Sequence, residues 1–469
     1  GAFGASDSAD ARAHFLAAIH LSENNAGVSF VDISTGEFLV AEGTLEYIEK
    51  LLQTFKPSEV VYQKNHKKKF SELFGEQYYS YSLEDWVFKY DFAIEKVLKH
   101  FEILNLKGFG IEELNDAIIA AGVVLYYLSE NHQDKLRHIN AISRIEEEKY
   151  VWLDKFTIRN LEIIYSSNEK ATTLADVLDF TISPMAGRLM KRWLLLPLKD
   201  EKNIQERLDV VNYFVHNSEI QAELPQYLKQ IGDIERLISK VALGKVSPRE
   251  VYQLKRALFA IESVKEICLK ADSVTLKQIG DRFHLCALIR DRIEKEMQAD
   301  PPVNVNKGGT IAKGVSEDLD QLREIAYSGK DYLLKIQEKE ISDTKIPSLK
   351  IAYNNVFGYY IEVTHTHKDK VPSTWVRKQT LVNAERYITE ELKVYEEKIL
   401  GAEEKILLLE QTLFNEIVNA LSEYIQPIQQ NASLIAQLDC FLSFSVAAQK
   451  NNYVRPQIND SKIIDIKSG

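Results

Sequence analysis

Between Lys345 and Lys378 the chain carries six basic side chains, Lys345, Lys350, Lys368, Lys370, Arg377 and Lys378, against two acids, Glu362 and Asp369, a local charge of +4. From Glu390 to Glu410 the sign reverses, with seven acids against three lysines, −4. Guanidinium and ammonium groups suit phosphate oxygens, Arg as a planar fork and Lys as a compact point charge. A cationic segment joined to an acidic one describes a part that touches a polyanion on a support that avoids it.

The elements around this segment must hold it in place. Downstream, apolar residues fall at Leu392, Tyr395, Ile399, Ala402, Ile406, Leu409, Leu413, Ile417, Ala420 and Tyr424, a near-heptad seam with one four-residue stutter. From Ala384 to Ile425 there is no Pro and the only Gly is Gly401, so one helix of about 55–60 Å is expected there. Upstream, Leu319, Leu322, Ala326, Gly329, Leu333 and Ile336 repeat the pattern, and the two arms can pair antiparallel. Between them, Leu349–Ala352 and Tyr359–Thr364 read as strands around an Asn354–Gly358 turn, and Trp375–Val382 as a third strand.

These residues carry a specific resemblance. Phe357-Gly-Tyr-Tyr-Ile361, followed by Arg377-Lys-Gln-Thr-Leu-Val-Asn-Ala-Glu-Arg-Tyr387, resembles the clamp of the MutS mismatch-repair family. Pro301-Pro-Val, Gly308-Gly, Thr181-Ile-Ser-Pro-Met-Ala-Gly-Arg-Leu-Met-Lys-Arg-Trp-Leu194 and Asp32-Ile-Ser-Thr-Gly-Glu-Phe38 extend the likeness through nearly the whole chain, in the family's order. The resemblance implies a multidomain α+β protein. Residues 1–130 would be an α/β ribonuclease-H-like connector, and 131–340 the first part of an all-α core with the outgoing lever helix. Residues 341–389 would be a small β-rich clamp, and 390–469 the rest of the core with the return lever helix.

Roles follow from the resemblance. The clamp is expected to hold double-stranded DNA through phosphates, which fix register without reading sequence. Arg377 and Lys378 supply charge at the end of a strand. Asn383 donates its amide and also caps the return helix, whose N-terminus adds backbone N–H groups. Arg386 is a fourth contact, or pairs with Glu385 or Glu390. Lys368 and Lys370 steer at longer range. The family clamps DNA as a homodimer, and the connector is expected to dock a MutL-type partner, for which Glu95 and Lys99 on the exposed face of the Asp91–Phe101 helix are candidates.

The rest of the chain sets bounds. A length of 469 residues, with 45% hydrophobic content and only 20 Gly and 11 Pro, suits two to four mostly helical domains. A net charge of −11 argues against a protein coated in nucleic acid but allows local basic patches. Cys268, Cys286 and Cys440 sit in apolar helical contexts and read as reduced core thiols of a cytoplasmic protein, with no metal site. The longest apolar run, Ala117–Leu128, is too short to span a bilayer, and the opening residues lack a secretory pattern. Gly1 to about Ala11 looks like a cloning remnant or frayed end.

In order, a strand over Ala26–Ile33, a Ser34–Glu37 turn and a strand over Phe38–Ala41 form a hairpin. A helix at Thr44–Phe55, a strand at Glu59–Tyr62 and a helix at Glu112–Ser129 follow. Later helices are expected from Thr157 through Tyr165, from Pro184, and over Ile204–Val215, Ile231–Val241 and Glu250–Leu269. Arg188, Lys191 and Arg192 read as helix charges paired with neighbouring acids. Ile425-Gln426-Pro427 is expected to break the return helix, with a last helix over Asn431–Lys450.

A full-length family member would also have a mismatch-reading domain with a Phe-x-Glu wedge and an ATPase using ATP and Mg. No Phe-x-Glu falls in a matching place and no Gly-x-x-x-x-Gly-Lys-Ser/Thr run exists, so this chain is expected to be a fragment without cofactor, metal or catalytic residues. Gly244-Lys245-Val246-Ser247 lacks the earlier Gly of a phosphate loop and reads as a helix junction. Two other functions compete: a coiled-coil scaffold without DNA binding, and a ribonuclease-H-like nuclease using Asp32, which fits a turn-forming Asp better.

Overall fold

The computed structural model describes residues 12–131 and 136–469; the opening segment through Ala11 lies outside them. The chain forms two compact units. One comprises Gly1–Val246, Gln253–Arg290 and Ala420–Gly469, the other Ser247–Tyr252 and Asp291–Asn419.

The first unit begins with a six-stranded sheet. Its strands are β1 (Leu16–Leu21), β2 (Asn25–Asp32), β3 (Glu37–Thr44), β4 (Glu59–Gln63), β5 (Ser80–Leu83) and β6 (Ser143–Arg144), in the order β5-β4-β1-β2-β3-β6. β1, β2 and β3 run antiparallel, while β4 lies parallel to β1 and β5 parallel to β4. Alternation along the strands covers both faces. Ala17, Ile19, Val28, Phe30, Val60 and Tyr62 pack with α1 (Leu45–Phe55) and α2 (Lys67–Phe74). Ala18, Val31, Phe38, Val40 and Val61 pack with α3 (Tyr90–Phe101) and α4 (Asn115–Asn131). Gly27 permits this: any Cβ there would collide with the backbone of Asp116 and Ala117. The carboxylate of Glu42 accepts the free N–H groups of Asp116 (2.6 Å) and Ala117 (3.2 Å), which settles the helix start.

Helices follow: α5 (Lys155–Asn160), α6 (Leu174–Leu178), α7 (Pro184–Leu195), α8 (Glu201–His216), α9 (Ser218–Ile231), α10 (Ile234–Ala242), α11 (Pro248–Lys270), α12 (Val274–Arg282) and α13 (Ala287–Glu296). After the arms of the second unit the chain ends with α16 (Ile425–Asn451), around which α6 to α10 and α12 gather. An 18-residue window of α16 reaches a mean hydropathy of 1.2, but 72% of it is buried, as in a core helix of a globular protein. Asp439 ties α16 to α7: its carboxylate accepts from Ile182 N (3.0 Å), Ser183 N (2.7 Å) and Ser183 Oγ (2.8 Å). Arg188 forks onto Asp233 at 2.8 and 2.9 Å and reaches Glu235 at 3.0 Å. Arg192 meets Glu37 at 2.6 Å, so both arginines pair with acids.

Several boundaries differ from expectation. The helix at Thr157 stops at Asn160, because Glu162 takes a left-handed φ of 48°. Ile231 ends α9 at Gly232, whose φ of +63° separates it from α10. The return helix does end here, at Ser422, but the next helix starts at Ile425 and not at Asn431, with Pro427 in its first turn, where its missing N–H is not needed.

In the second unit, α14 (Glu317–Thr344) and α15 (Glu390–Ser422) are the two arms, with β7 (Lys350–Asn354), β8 (Gly358–Thr364), β9 (Val376–Thr380) and β10 (Ala384–Ile388) between them in sequence. The arms run antiparallel. Lys339 pairs with Glu391 (3.6 Å), Tyr332 stacks on Tyr395 (3.9 Å), Lys330 meets Glu403 (3.0 Å) and Arg323 meets Glu410 (2.5 Å). Leu319, Ala326, Gly329, Leu333 and Ile336 are buried, as the seam on α14 requires. On α15 the seam rotates toward its C-terminal half, where Phe414 and Leu421 are buried beside the half-buried Leu413 and Ala420. At 33 residues α15 is about 50 Å long, shorter than expected because it begins at Glu390.

Candidate nucleic-acid interface

The four strands β7-β8-β10-β9 form one antiparallel sheet, with β9 at an edge. Ile361 and Val363 on β8 and Tyr387 on β10 turn to one face and pack with Leu333, Ile336, Leu392 and Ile399 of the arms. The turn between β7 and β8 is fixed to α15. Glu396 accepts Tyr359 N at 2.7 Å, and Lys393 bridges Glu396 (2.8 Å) and the Phe357 carbonyl (2.5 Å). Gly358, at φ +80°, is required because a Cβ there would overlap the Glu396 carboxylate.

The other face carries a polar row across all four strands. Lys350 Nζ lies 3.1 Å from Glu362, Arg386 Nε 3.2 Å from the same carboxylate, and Arg386 donates to Gln379 Oε1 at 2.9 Å. The Arg386 guanidinium also lies over the Tyr360 ring at 4.5 Å. Arg386 is thus only 19% exposed in its side chain and is committed to the row. Its partners are Glu362 and Gln379, not the Glu385 or Glu390 expected from sequence.

β9 is irregular. Arg386 stands opposite Gln379 but Tyr387 opposite Arg377, so Lys378 is the extra residue of a β-bulge. Without a bulge, Arg377 and Gln379 would share a face. With it, Gln379 joins the polar row while Arg377 lies beside Glu385, its NH1 3.4 Å from Oε1. The Arg377 side chain stays 62% exposed. The Lys378 side chain is exposed and makes no ion pair or hydrogen bond among the described residues.

Asn383 is exposed in the turn between β9 and β10, beside Val382 at 92% exposure. Its backbone carbonyl accepts from His365 N at 3.1 Å, and His365 Nε2 lies 2.8 Å from the Leu381 carbonyl. These contacts bring the short helical turn His365–Lys370, with exposed Lys368 and Lys370, against the β9–β10 end. Asn383 does not cap α15. The residues expected to open that helix form β10 instead, and Thr389 Oγ1 caps it by accepting Leu392 N at 3.1 Å. The N-terminus of α15 therefore does not add its N–H groups beside Asn383. Arg377 and Lys378 thus stand on the edge strand β9, Asn383 in the β9–β10 turn and Lys368 and Lys370 on the helical turn 365–370, while Arg386 lies on the opposite face of the sheet.

The first unit answers the competing sequence readings. Asp32 is buried and accepts from Ser34 N (2.9 Å), Ser34 Oγ (2.6 Å) and His14 N (3.2 Å), which is a turn-forming role. Lys245 N donates back to the Lys240 carbonyl and Gly244 has φ +69°, so residues 244–247 join α10 to α11 and form no phosphate loop. Glu95 and Lys99 both lie on the exposed side of α3. The three cysteines are free and buried.

Residues 14–140 match the family model described as MutS domain II, and residues 156–445 the one described as MutS domain III. The chain is 60% identical over 456 residues to the DNA mismatch repair protein MutS of Parabacteroides distasonis, covering 97% of this chain and 52% of that protein. It is 57% identical to the protein of that name from Bacteroides thetaiotaomicron and 51% to that from Cytophaga hutchinsonii, each over 97% of this chain and 53% of the relative. The chain spans about half the length of the curated relatives it matches.

Proposed function

The chain belongs to the MutS family, and on that premise we propose that the sheet at the end of α14 and α15 is a clamp that grips duplex DNA by its phosphates. Residues 341–389 would be this clamp, α14 and α15 the levers that carry it, residues 1–130 the connector, and 131–340 with 390–469 the core. The antiparallel start of the first sheet, followed by two parallel strands, supports a ribonuclease-H-like connector.

The observation that carries the reading is the edge strand β9. Arg377 and Lys378 stand open to solvent there, with exposed Asn383 in the turn that follows the strand and exposed Lys368 and Lys370 on the helical turn 365–370, in the sheet joined to two long paired helices. Such groups neutralise phosphates whatever the sequence of the duplex. Arg386 orders the outer face and so positions the edge, with a lesser share in direct contact. A full-length protein of this family would close two such clamps around one duplex as a homodimer in the cytoplasm. It would couple them through the levers to an ATPase that uses ATP and Mg. This chain has no phosphate loop with which to hold that nucleotide. A MutL-type partner would dock on the connector, with Glu95 and Lys99 on the available face of α3.

Retention on immobilised duplex at low salt tests the reading. A clamp binds and elutes as salt rises, equally for matched and mismatched duplex. A scaffold whose tip is only a turn passes through unretained.

A further inference from the structure

The bulge at Lys378 places a buried carboxylate under the most exposed arginine of the edge. Glu385 is only 7% exposed, and its carboxylate has two fixed partners. Oε2 accepts the Tyr387 hydroxyl, and Oε1 faces Arg377 NH1 at 3.4 Å. We propose that Glu385 is an internal counter-ion that occupies Arg377 and limits how tightly the edge can hold a phosphate. This rests on the phosphate-binding reading given above and adds the residue that sets its strength.

The geometry makes the competition direct. Arg377 has an exposed guanidinium and, among the described residues, a single carboxylate partner, so a phosphate arriving from solvent must share it or displace Glu385. Glu385 cannot follow outward, because its strand is paired on both sides, to Val363 and Thr380, and the Tyr387 hydroxyl holds its other oxygen. The Tyr387 hydroxyl first, then Arg377, His365 and Lys368, keep the Glu385 carboxyl below its ordinary range, so it is ionised at neutral pH. Among the described residues the Lys378 side chain has no such partner, so the two neighbouring cations of β9 differ: one is unpaired there, the other pre-neutralised. A carboxylate in this place stands where a phosphate oxygen would otherwise be drawn, and the edge exchanges one ion pair for another on binding.

The test is duplex binding by the whole chain, followed by fluorescence anisotropy across salt, for wild type, Glu385→Gln and Tyr387→Phe, with Glu385→Gln repeated on an Arg377→Ala background. Gln keeps the acceptor for Tyr387 and removes the charge. Glu385→Gln is expected to bind about two- to fivefold tighter at low salt. Its log–log salt slope should steepen by about 1, one further phosphate being engaged. On the Arg377→Ala background the steepening disappears. Tyr387→Phe leaves the carboxylate with Arg377 as its main partner, so binding weakens and the slope becomes shallower. If Glu385→Gln does not fold, Tyr387→Phe decides alone, and unchanged or tighter binding overturns the proposal. An unchanged Glu385→Gln slope, or a steepening that persists without Arg377, also overturns it while wild type still binds. A wild type that ignores duplex overturns the clamp reading itself.

Discussion

The ring of Tyr332 lies stacked on that of Tyr395, with centroids 3.9 Å apart and planes within 18° of parallel. One ring belongs to α14 and the other to α15, so this contact fixes the register of the two arms. Tyr332 Oη also donates to Glu391 at 3.0 Å, one turn nearer the sheet. One turn on the other side, Gly329 on α14 faces Ile399 on α15.

Gly329→Ala tests that close approach. Gly to Ala in a solvated helix interior is worth about 1 kcal/mol of stability. Here the added Cβ would run into Ile399 Cγ1 and lie 3.1 Å from Cδ1, in a branched side chain that cannot swing clear. The clash wins, and a net loss of about 1–3 kcal/mol is expected by chemical denaturation. A gain in stability would mean that the arms do not pack at this register.

Arg386→Ala separates a framework residue from a contact residue. Removing it leaves Glu362 with Lys350 alone and uncovers the Tyr360 ring. A stability loss of about 1 kcal/mol is expected, read from the denaturation midpoint. The salt slope of duplex binding should change by less than it does for Lys378→Ala. Lost binding at unchanged stability would make Arg386 a direct phosphate contact.

Asp439 gives a pH dependence with a definite sign. Burial raises its carboxyl to about 6, although three donors from Ile182 and Ser183 oppose the shift. The unfolded chain titrates near about 4, so between these values the folded state holds a proton that the unfolded state has lost. This group's stabilising contribution is complete below about pH 4 and is lost as pH rises through 6. Asp439→Asn lacks it. The stability of wild type relative to Asp439→Asn should rise by on the order of 2 kcal/mol between pH 7 and pH 4.5, measured by urea unfolding. A pH-independent difference would show that Asp439 titrates normally.

Elements with one strong period were legible in the sequence. The β2–β3 hairpin, the helix that became α1 and the α14 seam all follow from apolar spacing. Other elements were hidden by tertiary override. Ala384–Ile388 has good helix formers next to a long helix, yet forms β10 because Glu385 and Tyr387 pair with Val363 and Ile361 across the sheet. β5 offers only Ser80–Leu83, a short polar strand defined by its parallel pairing to β4. α9 carries Pro225 inside it, which reads as a breaker until packing compensates. At the site, residue types announced phosphate chemistry, but the roles of Arg386 and Asn383 were set by long-range pairing. The bulge at Lys378 has no local signature, and only the mismatch of register between β9 and β10 reveals it.

The grip of Arg377 and Lys378 on the phosphate backbone is tested most directly by anisotropy of a labelled duplex titrated across salt, with wild type, Arg377→Ala and Lys378→Ala compared on matched and mismatched DNA. Lys378→Ala should lower the log–log salt slope by about 1, and Arg377→Ala, whose charge Glu385 already meets in part, by less, each by the same amount on both duplexes. An unchanged slope, or a loss confined to mismatched DNA, would contradict the assignment of this edge to the backbone.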